Sequence, residues 1–291
     1  MHRTLRPFEL LEPETVMEAV NTLNSYGNKT KVLAGGIDLV SRMRRWQMKP
    51  EYLVSIRKIP GLDRIESNGT GVLRIGALTT LRSVELSPAV QKVWSILHEA
   101  TNQIASIQVK TMGTVVGNLC VATPASDIAP TLFVLGAEVK IVGPASEKTI
   151  PIENFLVPVC QNILQPNEIV TGISVPRVTD GSAGAFLKLA HTAACIAKVN
   201  VAVMVTIKDD ICQDIKIALG AVAPCVIRAM RAEEIIKGKK LDEKTIARAA
   251  EAAAEEVRPI TDLRSTAEYR KEMVTVLVRR AIEKASARAK P

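Results

Sequence analysis

Two neutral, small-residue stretches interrupt an otherwise basic chain: "TMGTVVGNLCVATPASDIAP" (Thr111 to Pro130) and "KVLAGGIDL" (Lys31 to Leu39). The first holds Gly113, Gly117, Asn118, a single Asp and two prolines. The second places Gly35, Gly36 and Asp38 directly after an apolar run. Their shared character, small, hydroxyl-bearing and nearly uncharged, assigns them to one site.

The surrounding chain bounds what that site serves. At 291 residues it is long enough for two or three domains. Hydrophobic residues at 47% and charged residues at 23% are ordinary for a soluble globular protein. Aromatics are only 3%, so aliphatic residues and Ala fill the core, and base-stacking platforms are disfavoured. The net charge is +8 and the pI near 9.3, but the basic residues are spread out. The densest runs, "RMRRW" at 42–46 and "KGKK" at 237–240, are short. A solvated surface or an acidic protein partner fits better than nucleic acid. Cys120, Cys160, Cys195, Cys212 and Cys225 show no C-x-x-C spacing, so no zinc or iron–sulfur site is signalled. An odd cysteine count without a signal peptide fits a reducing cytoplasm. No apolar run reaches the roughly 18 residues of a membrane span; "IAKVNVAVMVTI" is too short and carries Lys198 and Asn200.

Hydrophobic periodicity organises the chain. "PETVMEAVNTL" predicts a first helix with Pro13 in its first turn and Val16, Ala19, Val20 and Leu23 on one face. "KTKVLAGG" predicts a short buried strand entering a glycine turn, "EYLVSI" another strand, and "VLRIGALTTL" a strand after the turn "NGTG". Val90, Val93, Trp94, Leu97 and Ala100 give a helical face between Ser87 and Ile107. "PTLFVLGAEVKIVGP" reads as a helix end, a turn at Gly136 and a strand. The Pro, Asp and Gly of "VPRVTDGSAG" mark a boundary near Pro176. Beyond it, "AFLKLA", "KVNVAVMVTI" and "QDIKIALGAV" predict strands. A helix capped by Asp242 and a long amphipathic helix with a core stripe of Met273, Val276, Leu277 and Ala281 complete the chain. A mixed region, then a small sheet, then helices, spells α+β rather than a doubly wound parallel sheet.

A dinucleotide such as FAD explains the two loops chemically. Its pyrophosphate must be approached closely by backbone N–H groups, and glycine permits this where a side chain would intrude. Ala34, Gly35, Gly36 and Asp38, with Gly113, Thr114, Gly117 and Asn118, supply such a cradle, and Asp127 lies within reach of a sugar hydroxyl if the loop folds back. Neither loop is a Rossmann G-x-G-x-x-G or a Walker A motif. On residue chemistry alone, two ordinary tight turns remain the simpler reading.

Six segments in fixed order carry a resemblance: "KVLAGGIDLVSRMR", "LRIGALTTL", "TMGTVVGNLCVATPASDIAPTL", "NEIVTGISVP", "IALGAVAPCVIRAMRAEEII" and "STAEYRKEMVTVLVRRAI". Together they resemble the FAD-binding medium subunit of the molybdenum hydroxylases, which includes the flavoprotein subunits of carbon monoxide dehydrogenase and bacterial xanthine dehydrogenase. The resemblance spans nearly the whole chain. It implies a flavin domain of the vanillyl-alcohol-oxidase (PCMH) type over 1–176, in subdomains of about 1–55 and 56–176. A C-terminal domain over 177–291, a small antiparallel sheet plus a helical bundle, follows. It further implies that Lys31, Val32, Leu33, Ala34, Gly35, Gly36, Ile37 and Asp38, with Thr114, Val115, Val116, Gly117 and Asn118, hold the pyrophosphate. Asp127 then holds the ribityl side, and Ile169, Leu187 and Lys188 lie near the flavin.

Three departures stand out. Val116 replaces the first glycine of the family's T-I-G-G-N loop, which restricts φ and is expected to bring an isopropyl group near the phosphates. Gly117 is then left to make the close approach. Ile37 stands where Thr, Gln or Ser is common, and His191 and Cys195 stand where the family often has Arg and Asp. Among isolated residues, His98 reads as a surface or packed histidine rather than a ligand, Cys120 as a small buried residue rather than a nucleophile, and Asp127 equally as a cap for the turn before Pro130.

The sequence thus reads as an oxidoreductase subunit carrying non-covalent FAD. It is expected to pass electrons from [2Fe–2S] clusters on a small partner subunit, fed by a molybdopterin-binding large subunit, to a terminal acceptor. A dimer of heterotrimers in the cytoplasm is expected, with no catalytic side chain and no metal on this chain. A stand-alone flavin-dependent reductase or oxidase of the same fold is the alternative, and it lacks an obvious proton donor. A non-catalytic assembly protein that has lost FAD is the other.

Overall fold

The computed structural model describes residues 4–67 and 71–289; Asn68, Gly69 and Thr70 of the expected turn lie outside the described residues. Strands β1 (Glu9–Leu11), β2 (Thr30–Leu33) and β3 (Tyr52–Ser55) form a parallel sheet in the order β1-β3-β2. Parallel neighbours need crossovers. Helices α1 (Val16–Tyr26) and α2 (Ile37–Arg44) supply them. The Thr15 hydroxyl caps α1 by accepting the Glu18 N–H, and Ala19, Val20 and Leu23 are buried. Pro13 was expected inside the first turn but precedes that cap. Strand β2 was expected to be buried; only Thr30 is, because β2 is the sheet edge.

A second, antiparallel sheet has the order β4-β5-β10-β6-β7. Its strands are β4 (Ile65–Ser67), β5 (Leu73–Gly76), β6 (Glu138–Val142), β7 (Glu147–Pro151) and β10 (Ile169–Val175). A short hairpin, β8 (Leu156–Val157) and β9 (Gln161–Asn162), precedes β10. The strand expected over "VLRIGALTTL" ends at Gly76, because the Thr80 hydroxyl caps α3 (Leu81–Leu86). Five more helices follow: α4 (Pro88–Val93), α5 (Ser95–Asn102), α6 (Ile107–Met112), α7 (Val115–Val121) and α8 (Ile128–Val134). The helical face expected from Ser87 to Ile107 breaks at Trp94, whose backbone leaves the helical region. The buried indole N–H there donates to Pro176 O at 2.7 Å.

Strands β11 (Ser182–Leu189), β12 (Val199–Lys208), β13 (Ile211–Gly220) and β14 (Ile227–Arg228) form an antiparallel meander. Helices α9 (Met230–Ile236), α10 (Glu243–Glu256) and α11 (Ala267–Ala289) follow. The Asp242 carboxylate caps α10 at Thr245 N, as its sequence predicts. Helix α11 buries Val274, Leu277, Val278, Ala281 and Ile282, whereas Met273 and Val276 of the expected stripe are only half-buried. Helix α11 covers one face of the meander while α5 and α8 cover the other. Coverage on both faces explains why "VAVMV" at 201–205 is apolar throughout rather than alternating. Val199, Val201, Val203 and Val205 join the core under α10 and α11, while Phe186, Ala202 and Ala218 join the core of the preceding layers. Glu99 of α5 clasps that seam, accepting the Phe186 N–H and pairing with Lys284 and Arg288 of α11. The whole is α+β, as expected. Among the described residues no helix is long and apolar enough to cross a membrane.

Candidate functional site

The first small-residue loop leaves the C-terminal end of β2 and starts α2. Gly36 sits at the N-cap in the left-handed region (φ 80°) and offers no side-chain cap. A Cβ on Gly35 would fall 2.0 Å from Met112 O and 3.1 Å from Gly113 Cα, so only glycine lets this loop touch the second one. The two stretches singled out by composition are thus in contact. The N–H groups of Gly35, Gly36 and Ile37 donate to no acceptor among the described residues. At the α2 N-terminus they form a set of adjacent, unbonded donors suited to an anion. Beside them lies a cleft of about 470 Å³ lined by Gly35, Gly36, Ile37, Arg44, Arg57 and Met112 among others. Lys31 is exposed on β2, and Val32, Leu33 and Ala34 are half-buried. Ile37 is 42% exposed, and Asp38 pairs with Arg42 one turn on, at 2.6 Å.

The second loop is built differently. Thr114 is the N-cap of α7, and its hydroxyl accepts the Gly117 N–H at 2.9 Å. Val115 N–H donates to Thr79 O and Asn118 N–H to Thr114 O. Gly117 was expected to make the close approach to phosphate; its donor is already taken by Thr114. Val116 was expected to strain the loop and crowd a ligand. It lies in the first helical turn, with its side chain 4% exposed in the core beside Val115. The expectation failed because a loop was assumed where a capped helix begins. The helix feeding this loop, α6, is seated by a buried ion pair: Lys110 Nζ lies 2.5 Å from Glu85 on α3, which also binds Arg82. Burial works against ionisation of Glu85, but Lys110 and Arg82 overcome it and hold the carboxyl below the ordinary range. His98 of α5 meets α3 through Nδ1 and the Glu85 carbonyl.

Asn118 links this loop to a buried polar chain. Its Oδ1 accepts the Ser126 hydroxyl at 2.7 Å, and Ser126 Oγ in turn caps α8 at Ala129 N. Asp127 therefore does not cap the turn before Pro130. Its two carboxyl oxygens meet Lys188 Nζ at 2.6 Å and Asn200 Nδ2 at 2.7 Å. Burial pushes the Asp127 carboxyl above its ordinary value, against the pull of Lys188 and Asn200. Asp127 and Lys188, both expected near a flavin, are thus direct partners. Leu187 points to the other face of β11, into the core beneath α10 and α11, as strand alternation requires. Ile169 is 2% exposed in the core of the second sheet. For both, the backbone rather than the side chain is what a ligand can meet.

His191 is exposed in the loop between β11 and β12. In the same loop Cys195 Sγ lies 3.1 Å from the Thr192 hydroxyl, whose hydrogen bond lowers its thiol pKa. Burial raises the Cys120 thiol to about 12, consistent with a packed rather than nucleophilic cysteine. Sequence reasoning missed Arg57, Ser126 and Asn200. An Asn in the apolar run of β12 was the available signal for one of them, since a buried amide needs partners.

Comparison with known proteins puts a family on this geometry. Residues 6–178 match the family model "FAD binding domain in molybdopterin dehydrogenase", and residues 185–285 match "CO dehydrogenase flavoprotein C-terminal domain". The carbon monoxide dehydrogenase medium chain of Hydrogenophaga pseudoflava is 33% identical, over 97% of this chain and 98% of that one. The glyceraldehyde dehydrogenase medium chain of Sulfolobus acidocaldarius is 30% identical, over 95% and 97%. Among solved structures, carbon monoxide dehydrogenase from Hydrogenophaga pseudoflava superposes with a TM-score of 0.95 at 33% identity, covering 98% of this chain and 99% of that one. Quinoline 2-oxidoreductase from Pseudomonas putida 86 does so with a TM-score of 0.93 at 26% identity, covering 98% and 99%. The PCMH-type flavin fold with its C-terminal domain is therefore present. Matched in both parts and over nearly the full length of its relatives, the chain belongs to the family of FAD-binding medium subunits of the molybdenum hydroxylases.

Proposed function

We propose that this subunit holds FAD non-covalently and relays electrons from iron–sulfur clusters on a small partner subunit to a terminal acceptor. Substrate is oxidised at a molybdopterin site on a large partner subunit. The observation that carries the reading is the contact of the two small-residue loops, with three free N–H donors on the first. The residues fit the cofactor: the donors suit a pyrophosphate, and Gly35 leaves no room for a side chain. In this reading the segment from Lys31 to Asp38 and that from Thr114 to Asn118 bind the pyrophosphate. Asp127, oriented by Lys188 and Asn200, retains lone pairs for a ribityl hydroxyl. Ile169 and Leu187 offer backbone groups near the ring. When bound, FAD supplies the redox chemistry, and the chain binds, orients and shields it.

The boundary between the flavin-binding part, 1–176, and the C-terminal part, 177–291, belongs to the same reading, as do the subdomains of about 1–55 and 56–176. So do a cytoplasmic location and a dimer of heterotrimers. The net charge of +8 favours steering toward acidic partner faces. Acid precipitation of the purified chain should leave all flavin in the supernatant. Co-expression with the neighbouring reading frames, and purification through a tag on this chain, should recover iron and molybdenum. Substrate should then bleach the flavin of the complex but not of the isolated chain. An isolated chain that turns over an organic substrate with its own flavin rejects the subunit role.

A further inference from the structure

Arg57 lies outside the residues that the resemblance supplies, yet it grips the first loop at two points. Its Nε donates to Ala34 O at 2.9 Å and its Nη2 to Gly35 O at 3.3 Å. A trans peptide unit is planar, with its N–H pointing opposite to its C=O. Turning the Ala34 and Gly35 carbonyls onto the guanidinium therefore turns the Gly35 and Gly36 N–H groups the other way. Those are two of the three free donors. The Gly35–Gly36 unit is also the one most able to turn over, because a glycine stands on each side of it. Turned over, it would face an anion with carbonyl lone pairs instead of donors.

We infer that Arg57 is a positioning residue that locks the first loop in its anion-binding orientation, and that it serves the diphosphate of the bound dinucleotide. The inference rests on the FAD reading above. Arg suits the task because its planar fork presents several donors in fixed geometry. Arg57 also lines the cleft, so its charge stays beside the ligand. The side chain is exposed, so replacing it opens no cavity in the core. Its place follows from topology: parallel pairing of β2 and β3 sets Leu33 beside Ser55, and the chain just beyond each strand meets its neighbour.

The test measures the FAD dissociation constant and the melting temperature of the full chain and of Arg57→Ala, Arg57→Gln and Arg57→Lys. Arg57→Ala should weaken FAD about 10- to 100-fold, the scale of lost charged hydrogen bonds, while the melting temperature holds within about 2 °C. Arg57→Gln, a neutral donor, should recover part of the affinity. Unchanged affinity in Arg57→Ala overturns the inference and leaves the FAD reading standing. Affinity lost in step with melting temperature makes the role merely structural and overturns it too. Full recovery by Lys with none by Gln assigns the effect to charge alone, again against positioning. A wild-type chain that binds no FAD overturns the FAD reading together with this inference.

Discussion

The two small-residue loops look alike as text and differ as chemistry. The first, at 34–37, has no cap of its own and is held from outside by Arg57, so its N–H groups stay free. The second, at 113–118, is the start of a helix capped by its own Thr114, so Gly117 and Asn118 N–H are satisfied by that residue, and Gly113 and Val115 N–H by the Val109 and Thr79 carbonyls. Its contribution is a rigid wall against which Gly35 packs. Glycine in the first loop serves close approach; in the second, the fold gives the larger part of the job to a threonine. Equal composition does not imply equal roles, because hydrogen-bond satisfaction is decided by what the neighbouring backbone does.

Substitutions can break this asymmetry. The largest effect is expected from Gly35→Ala. Its Cβ would meet a backbone carbonyl rather than a movable side chain, so the loops must separate, at a cost of about 3 kcal/mol or more. FAD binding should be lost in a flavin titration, and retention of wild-type affinity would sink the contact as the basis of the site. Val116→Gly comes next. If Val116 crowded the phosphates, as its place in the sequence implies, restoring the family's glycine would tighten or preserve FAD binding. With the side chain in the core, it should instead cost about 2–4 kcal/mol in denaturant unfolding, from lost burial and helix propensity. A stable variant with tighter FAD would restore the original view of the departure. Thr114→Ala should cost about 1 kcal/mol through the lost cap. Its effect on FAD should be smaller than that of Gly35→Ala, and the reverse order would exchange the roles of the two loops.

The smallest effect concerns pH. The second loop is seated through Glu85 and Lys110, whereas Arg57 holds the first through neutral carbonyls. The folded-state value of Glu85 is lowered, so its stabilisation is complete above the unfolded value of about 4.3 and is lost as pH falls through the folded value. Hydrogen-exchange protection at 107–118 should therefore fall in acid before that of the Val40 amide, which is bonded to Gly36 O at the end of the first loop, does. Simultaneous loosening of both segments would show that the two are not held independently.

Much of the architecture was legible because it rests on periodicity and punctuation. The α1 face, the Gly136 turn, the Asp242 cap and the three long strands of the meander follow from residues a few positions apart. The errors came where a distant partner or an unread helix cap intervenes. The helix expected through Trp94 is broken where its indole reaches Pro176, and the strand through Thr80 is stopped by a capping hydroxyl. Of the site residues, the glycine loops were legible from composition. The partnership of Asp127 with Lys188 was not, since they are separated by 61 positions and meet only when the meander packs on α8.

By itself, then, the sequence determined that Gly35 and Gly36 permit close approach, that the α1 face is helix and the long strands of the meander are strand, and the family to which their order belongs. Only the tertiary structure decided which N–H groups are free, that Val116 faces the core, and that Arg57 reaches the first loop. Local propensities act over a few residues, whereas the satisfaction of a buried or binding-site polar group depends on strands and helices brought together from across the chain.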